Sequence, residues 1–195
     1  GLSDQQILQH IGASETAVEG IFFPDTYYFI KGSSDLDILQ RAYKTMQNHL
    51  QNYWSERVES LPLNTPYEAL ILASIIEKET GAESDRAEIA GVFINRLRKG
   101  MKLQTDPTVI YGLGEQFDGN HRKKDLLADQ EYNTYTRAGL PPTPISLPSL
   151  ASIRAALNPA ETDALYFVAK GNGESEFSTN LADHNKAVNK YQKQQ

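Results

Sequence analysis

The chain has 195 residues, enough to bury one substantial core, and its 10 Tyr and 7 Phe argue against disorder. Its formal net charge is -6 with the basic residues dispersed, so it lacks the positive field that a phosphate backbone selects, and nucleic acid is not expected as a partner. It contains no cysteine, which removes disulfides, thiolate metal sites and a cysteine nucleophile while leaving the compartment open.

In chain order, Ser3 to Ile11 predicts a short helix stopped by Gly12. Ile21 to Ile30, an aromatic run interrupted by Pro24, predicts an extended segment closed by Gly32-Ser33-Ser34. A long amphipathic helix is expected from Asp35 to about Val58, with Leu36, Leu39, Tyr43, Met46 and Leu50 at helical spacing. Thr65-Pro66-Tyr67-Glu68 reads as a capping box with proline at the first helical position, so the next helix opens there. Its partner in a helical hairpin runs from about Asp85 to Lys99, buries Ile89, Val92, Phe93 and Leu97, and stops at Gly100.

Residues 101 to 148 are loop-rich, with short helical turns expected at Thr108 to Tyr111 and Lys123 to Leu127; ordered loops of this length commonly serve a site. After a helix near Pro148 to Leu157, the segments Ala164 to Ala169, Gly171-Asn172-Gly173 and Ser175 to Ser178 form a hairpin signature. A last helix covers about Leu181 to Tyr191. No window of about 18 apolar residues is present to span a membrane.

The helix that opens at Pro66 carries a chemical signal. Positions three, four and seven apart share a helical face, so Glu79 stacks over Leu72, Ile75 and Ile76. Taking Leu70 as zero, the bulky residues centre near roughly 150°, with Glu79 at roughly 180° and Glu77 at roughly 340°. Only Glu79 then points toward the core, where an apolar environment disfavours ionisation and raises the pKa toward a general acid's range. Glu77, on the opposite face, is expected to titrate normally. Position alone equally allows Glu79 to join Glu77 and Glu83 in a solvated cluster at a fraying helix end.

Three polar clusters lie in the loop region: Gln104-Thr105-Asp106-Pro107-Thr108, Tyr132-Asn133-Thr134-Tyr135 and Gly139-Leu140-Pro141-Pro142. Amides, hydroxyls and aromatic faces are what a sugar groove uses, although each cluster also reads as a helix start, a pair of half-buried aromatics or a rigid turn. His10, His49, His121 and His184 are scattered without a metal-ligand spacing, so no metal and no cofactor are expected, and His184 reads as structural. Arg96, Arg98, Lys99, Lys102 and Arg122, Lys123, Lys124 read as solvated faces with no site role.

The ordered strings Ala73-Ser74-Ile75-Ile76-Glu77-Lys78-Glu79-Thr80, Val92 to Leu97, Leu103 to Gly112, Tyr132 to Tyr135 and Gly139 to Pro142 closely resemble the YceG-like family of endolytic murein transglycosylases. Glu19-Gly20, Phe23-Pro24-Asp25-Thr26-Tyr27, Phe177-Ser178-Thr179-Asn180 and His184-Asn185 match as well, so the resemblance covers nearly the whole chain. Residues 75 to 80 are also similar to the Ile-Ile-x-x-Glu-Ser run of goose-type lysozyme-like folds, which selects Glu79 as the helical wheel does.

The resemblance implies an α+β fold: a mainly helical, lysozyme-like catalytic domain with a small antiparallel β element. That element is expected to join Phe22 to Ile30 with Tyr166 to Phe177. One YceG-like domain is expected over 1–195, with an N-terminal strand and long helix in 1–60 and the acid helix, substrate loops, hairpin and terminal helix in 61–195. A membrane anchor and a LysM-like subdomain are expected to lie outside this chain, and a periplasmic location at the inner membrane is expected of the full-length protein.

The implied reaction is cleavage of the MurNAc-β-1,4-GlcNAc bond within peptidoglycan glycan strands, leaving 1,6-anhydroMurNAc ends and terminating nascent strands. Glu79 is the implied catalytic residue, acting as acid and then base, with Gln104, Asp106, Tyr132, Asn133 and Tyr135 as substrate-binding residues. Glycan strands are the implied partner and cell-wall synthases a further one, with membrane contact only through the anchor. Two alternatives stay open: a lysozyme-type hydrolase pairing Glu79 with Asp106 or Glu77, and a module that binds glycan or division proteins without cutting.

Overall fold

The computed structural model describes residues 1–79, 81–120 and 122–192. Helix α1 (Asp4–Ile11) is capped by Ser3, whose side chain accepts from Gln6 N–H, and ends at Gly12 in the left-handed conformation. Helix α2 (Asp35–Ser55) starts from an equivalent box at Ser34 and Asp37. Its Ala42, Met46 and Leu50 are buried, while its polar face stays in solvent.

Helix α3 (Pro66–Glu79) is buried along every residue from Ala69 to Ile76, so it forms the axis of the core. Its start departs slightly from a capping box. Thr65 Oγ1 accepts from Glu68 N–H at 3.2 Å, but the Glu68 carboxylate reaches one residue further back, to Asn64 N–H at 2.6 Å. Helix α4 (Glu83–Arg98) supplies Ile89, Val92, Phe93 and Ile94 to the core. Two short helices, α5 (Asp106–Leu113) and α6 (Lys123–Leu127), lie in the loop-rich stretch, and α7 (Leu150–Leu157) packs against α2, α3 and α4.

The only β structure among the described residues is an antiparallel hairpin of β1 (Tyr166–Ala169) and β2 (Ser175–Ser178), registered Tyr166 to Ser178 and Ala169 to Ser175. Helix α8 (Leu181–Tyr191) packs back on both strands. Side chains at both ends of α4 hold this C-terminal unit. Asp85, at the start of α4, accepts from Ser175 N–H at 2.5 Å, and Asn95 Nδ2 donates to the carbonyls of Thr162 and Ala164 at 2.7 and 3.1 Å. Gly91 permits the approach, because a Cβ there would lie 2.7 Å from Thr162 Cγ2 and 2.8 Å from Ala160 O.

The α+β class is as expected, but the membership of the β element is not. Residues 22 to 30 form no strand and do not pair with the hairpin. Pro24 lacks a ladder donor, and the segment docks through Phe23 N–H on Ala42 O at 3.1 Å and through Gly20, at φ +80 against Pro144. Phe22 and Phe23 pack on the core while Tyr28, Phe29 and Ile30 remain largely exposed. The expected N-terminal strand is therefore a docked loop. Aromatic density misled here because side-chain packing, not a β ladder, holds it.

Candidate active site

The C-terminal turn of α3 delivers Glu79 into a cleft of about 460 Å³. One wall comes from the loop and α5 through Leu103, Gln104, Asp106 and Tyr135. The rest of the lining comes from β1 and α8 through Tyr166, Phe167, Leu181 and His184, and from Phe93 and Arg96 of α4. Volume and lining fall in the range of sites for small organic ligands.

Glu79 is held rather than solvated. Thr105 Oγ1 donates to its Oε1. Thr105 is itself fixed in a buried threonine network: its N–H donates to Thr134 Oγ1 at 3.0 Å, and Thr108 Oγ1 donates to its carbonyl at 2.8 Å. Burial pushes the Glu79 carboxyl up to about 7; Thr105 opposes that rise, the Asp106 charge adds to it, and the Arg96 guanidinium counters it. The group is thus poised to give up a proton and to take one back near neutrality.

Arg96 differs from its basic neighbours in sequence. It does not belong to a solvated basic face but is 7% exposed, with Nε on Leu165 O at 2.7 Å and Nη1 on Leu103 O at 2.8 Å and Lys102 O at 3.1 Å. One guanidinium thus ties α4 to the segment before β1 and to the loop before α5. Burial lowers its pKa, while Tyr166, Tyr135 and Glu79 raise it.

The expected binding residues divide. Gln104, Asp106 and Tyr135 line the cleft with Glu79. Gln104 sits at φ +52, held by its N–H on Thr134 O at 3.1 Å, and Tyr135 Oη donates to Asp106 Oδ1 at 2.5 Å. Burial and Asp106 keep the Tyr135 phenol protonated.

Tyr132 and Asn133 do not line the cleft. Asn133 is fully buried, and its amide donates to the carbonyls of Asp125, Leu126 and Ala128, so it braces the α6 turn. Tyr132 packs on Tyr111 and hydrogen-bonds Thr143 at 2.8 Å. Conversely, Thr105, Arg96, Tyr166 and His184 line or support the site without having been singled out for it. Thr105 lay inside a polar cluster that offered the signal; Tyr166 and His184 approach only through the fold of the C-terminal unit. His49 packs on Phe23, and His121 and Thr80 lie outside the described residues.

Glu77 also departs from expectation. Its Oε2 accepts from Ser149 N–H at 2.9 Å, Ser149 Oγ at 2.6 Å and Ser152 Oγ at 2.6 Å, at the N-terminus of α7. Burial alone would raise its pKa, but these hydrogen bonds and Arg86 leave it lowered. Of the two candidate second carboxylates, only Asp106 shares the cleft with Glu79. Glu77→Ala is expected to lose about 2 kcal/mol of stability in urea unfolding, because three donors lose a charged acceptor. Glu77's contribution is full above the ordinary 4.5 and fades as the pH falls through its lowered value, so the deficit should shrink in acid.

The sequence profile of the YceG-like family matches residues 2–190. The chain is 44% identical over 175 residues to the endolytic murein transglycosylase of Bacillus subtilis (strain 168), covering 89% of this chain and 48% of that protein. It is 33% identical over 177 residues to the enzyme of the same name from Streptococcus pneumoniae serotype 2 (strain D39), covering 88% and 32%. The chain therefore spans about half the length of the first relative and about a third of the second. A crystal structure of a yceG-like protein from Listeria monocytogenes superposes with a TM-score of 0.78 at 38% identity, covering 93% of this chain and 62% of that one.

Proposed function

The chain belongs to the YceG-like family, and from that premise we propose that it is the cutting part of an endolytic murein transglycosylase. The observation that carries the reading is Glu79: a carboxyl with a pKa near 7, held by Thr105 and facing a cleft that Gln104, Asp106 and Tyr135 also line. The names of the relatives supply the substrate class, peptidoglycan glycan strands.

Glu79 donates its proton to the glycosidic oxygen as the muramoyl C1–O bond breaks. The 2-acetamido carbonyl assists the electron-poor C1. The resulting Glu79 carboxylate then removes the proton from the sugar's own C6 hydroxyl, whose oxygen bonds C1 and closes the 1,6-anhydro ring. The proton count balances, with Glu79 ending as it began, and no water is consumed. A second carboxylate is not needed, since the nucleophile is already inside the substrate and gains from proximity. Gln104, Asp106 and Tyr135 orient sugar hydroxyls and acetamido groups in this scheme. Tyr132 and Asn133 act behind them, holding the loop.

The same proposal includes an endolytic mode, a role in terminating nascent strands, contact with cell-wall synthases, and a periplasmic location held by an anchor at the inner membrane. Among the described residues no helix is long and apolar enough to cross a membrane. Uncross-linked strands incubated with the chain are expected to shorten from the middle, so that mean length falls before short products accumulate, as size-exclusion chromatography would read. Strands left at full length after prolonged incubation would favour a binding module instead.

A further inference from the structure

His184 stands in the first turn of α8, on the face whose Leu181, Val188 and Gln192 also line the cleft. Its ring stacks on Tyr166 at 5.2 Å with planes 24° apart, and the Arg96 guanidinium lies 5.0 Å from the same tyrosine ring. Neither imidazole nitrogen makes a hydrogen bond among the described residues, and Nδ1 is buried with no partner. A histidine kept for packing alone normally spends a ring nitrogen on an internal acceptor. This one is stacked on a tyrosine, half-buried at a cleft wall, and spends neither.

The tautomer follows. A buried N–H without an acceptor is costlier than a buried lone pair, so Nδ1 is the unprotonated nitrogen and Nε2 carries the hydrogen. Burial and the Arg96 charge both oppose a second proton. Stacked on Tyr166 and lining the cleft, the ring therefore offers a neutral donor at the wall formed by β1 and α8.

We propose that His184 is a substrate-contacting residue, donating from Nε2 to an uncharged oxygen of the glycan, an acetamido carbonyl or a hydroxyl, on the sugar that lies along β1 and α8. This rests on the glycan reading of the cleft. A neutral donor backed by an aromatic ring suits an uncharged sugar oxygen and adds nothing to charge recognition, so its contribution is to sugar affinity rather than to proton transfer. His184 thereby complements Gln104, Asp106 and Tyr135, which line the same cleft.

The test is equilibrium binding of uncross-linked glycan strands to the Glu79→Gln protein, which is not expected to consume them, with His184→Phe or His184→Gln added. Phenylalanine keeps a ring against Tyr166 and removes the donor, whereas glutamine restores an N–H near the position of Nε2. His184→Phe should weaken binding about tenfold, the size of one hydrogen bond. His184→Gln should recover most of that loss, with melting temperatures held in both. With Glu79 intact, KM should rise in His184→Phe while kcat stays within about threefold. Unchanged binding in His184→Phe would overturn the proposal, as would equal losses in both variants, which would assign the effect to the ring or to folding. No binding by the Glu79→Gln parent itself would instead sink the glycan reading, and this inference with it.

Discussion

Replacing Glu79 by glutamine is expected to lower the rate of strand cleavage by about 10³-fold or more while the chain keeps its fold. The amide keeps the volume and still accepts from Thr105 Oγ1, yet it can neither protonate the leaving oxygen nor deprotonate the C6 hydroxyl. The stability change should carry its own sign. A carboxyl raised from 4.5 to about 7 stabilises the folded state fully below 4.5, and that contribution is lost as the pH rises toward 7. Above pH 7 the ionised Glu79 is a burden, so Glu79→Gln should unfold at an equal or higher urea concentration than the parent at pH 8. Cleavage by the parent should fall as the pH rises through about 7, where the acid form is lost. Retention of substantial cutting in a folded Glu79→Gln protein would remove Glu79 from the mechanism.

Arg96→Leu is expected to have the largest effect on stability, about 3–5 kcal/mol in urea unfolding, because three carbonyls lose their charged donor in a nearly dry setting. Arg96→Lys should recover part of this, since an ammonium keeps the charge but cannot span Leu165 and Leu103 in one fork. The same change reaches the active site. Arg96 is the nearby cation that lowers the Glu79 pKa, so its removal should move the midpoint of the pH–rate profile upward in whatever fraction of Arg96→Leu remains folded. A stable Arg96→Leu protein with an unchanged profile would show that the guanidinium neither joins the walls nor biases the acid.

The face that Glu79 occupies was legible in the sequence because a helical face is a local property, but its spacing from Leu72 fitted a solvated helix end equally well, since the groups that enclose it, Thr105 among them, come from other elements. The hairpin was legible for the same reason, through its Gly-Asn-Gly turn, and α8 was expected over the residues it occupies. Arg96 was not. In sequence it belongs to a basic helix end beside Arg98 and Lys99, and only the fold brings the carbonyls of Lys102, Leu103 and the distant Leu165 together around it. Asn133 misled in the opposite direction, since an asparagine in a polar loop looks the same whether its amide faces a ligand or, as here, three backbone carbonyls. Glu77 was assigned the correct face, but that face meets the N-terminus of α7, some seventy residues on, which lowers its pKa instead of leaving it ordinary. The aromatic run from Phe22 to Phe29 has strand-like composition, yet Pro24 and the docking of Phe22 and Phe23 on the core decide its conformation.

In the proposed mechanism one carboxyl suffices because the sugar supplies its own nucleophile, and the end group left at the cut reads this most directly. Mass spectrometry of fragments from uncross-linked strands should find 1,6-anhydromuramoyl ends, with the fragment masses summing to the parent strand and no gain of water. Reducing ends heavier by one water would contradict the account, would restore the hydrolase reading, and would turn attention to Asp106 as the second carboxylate.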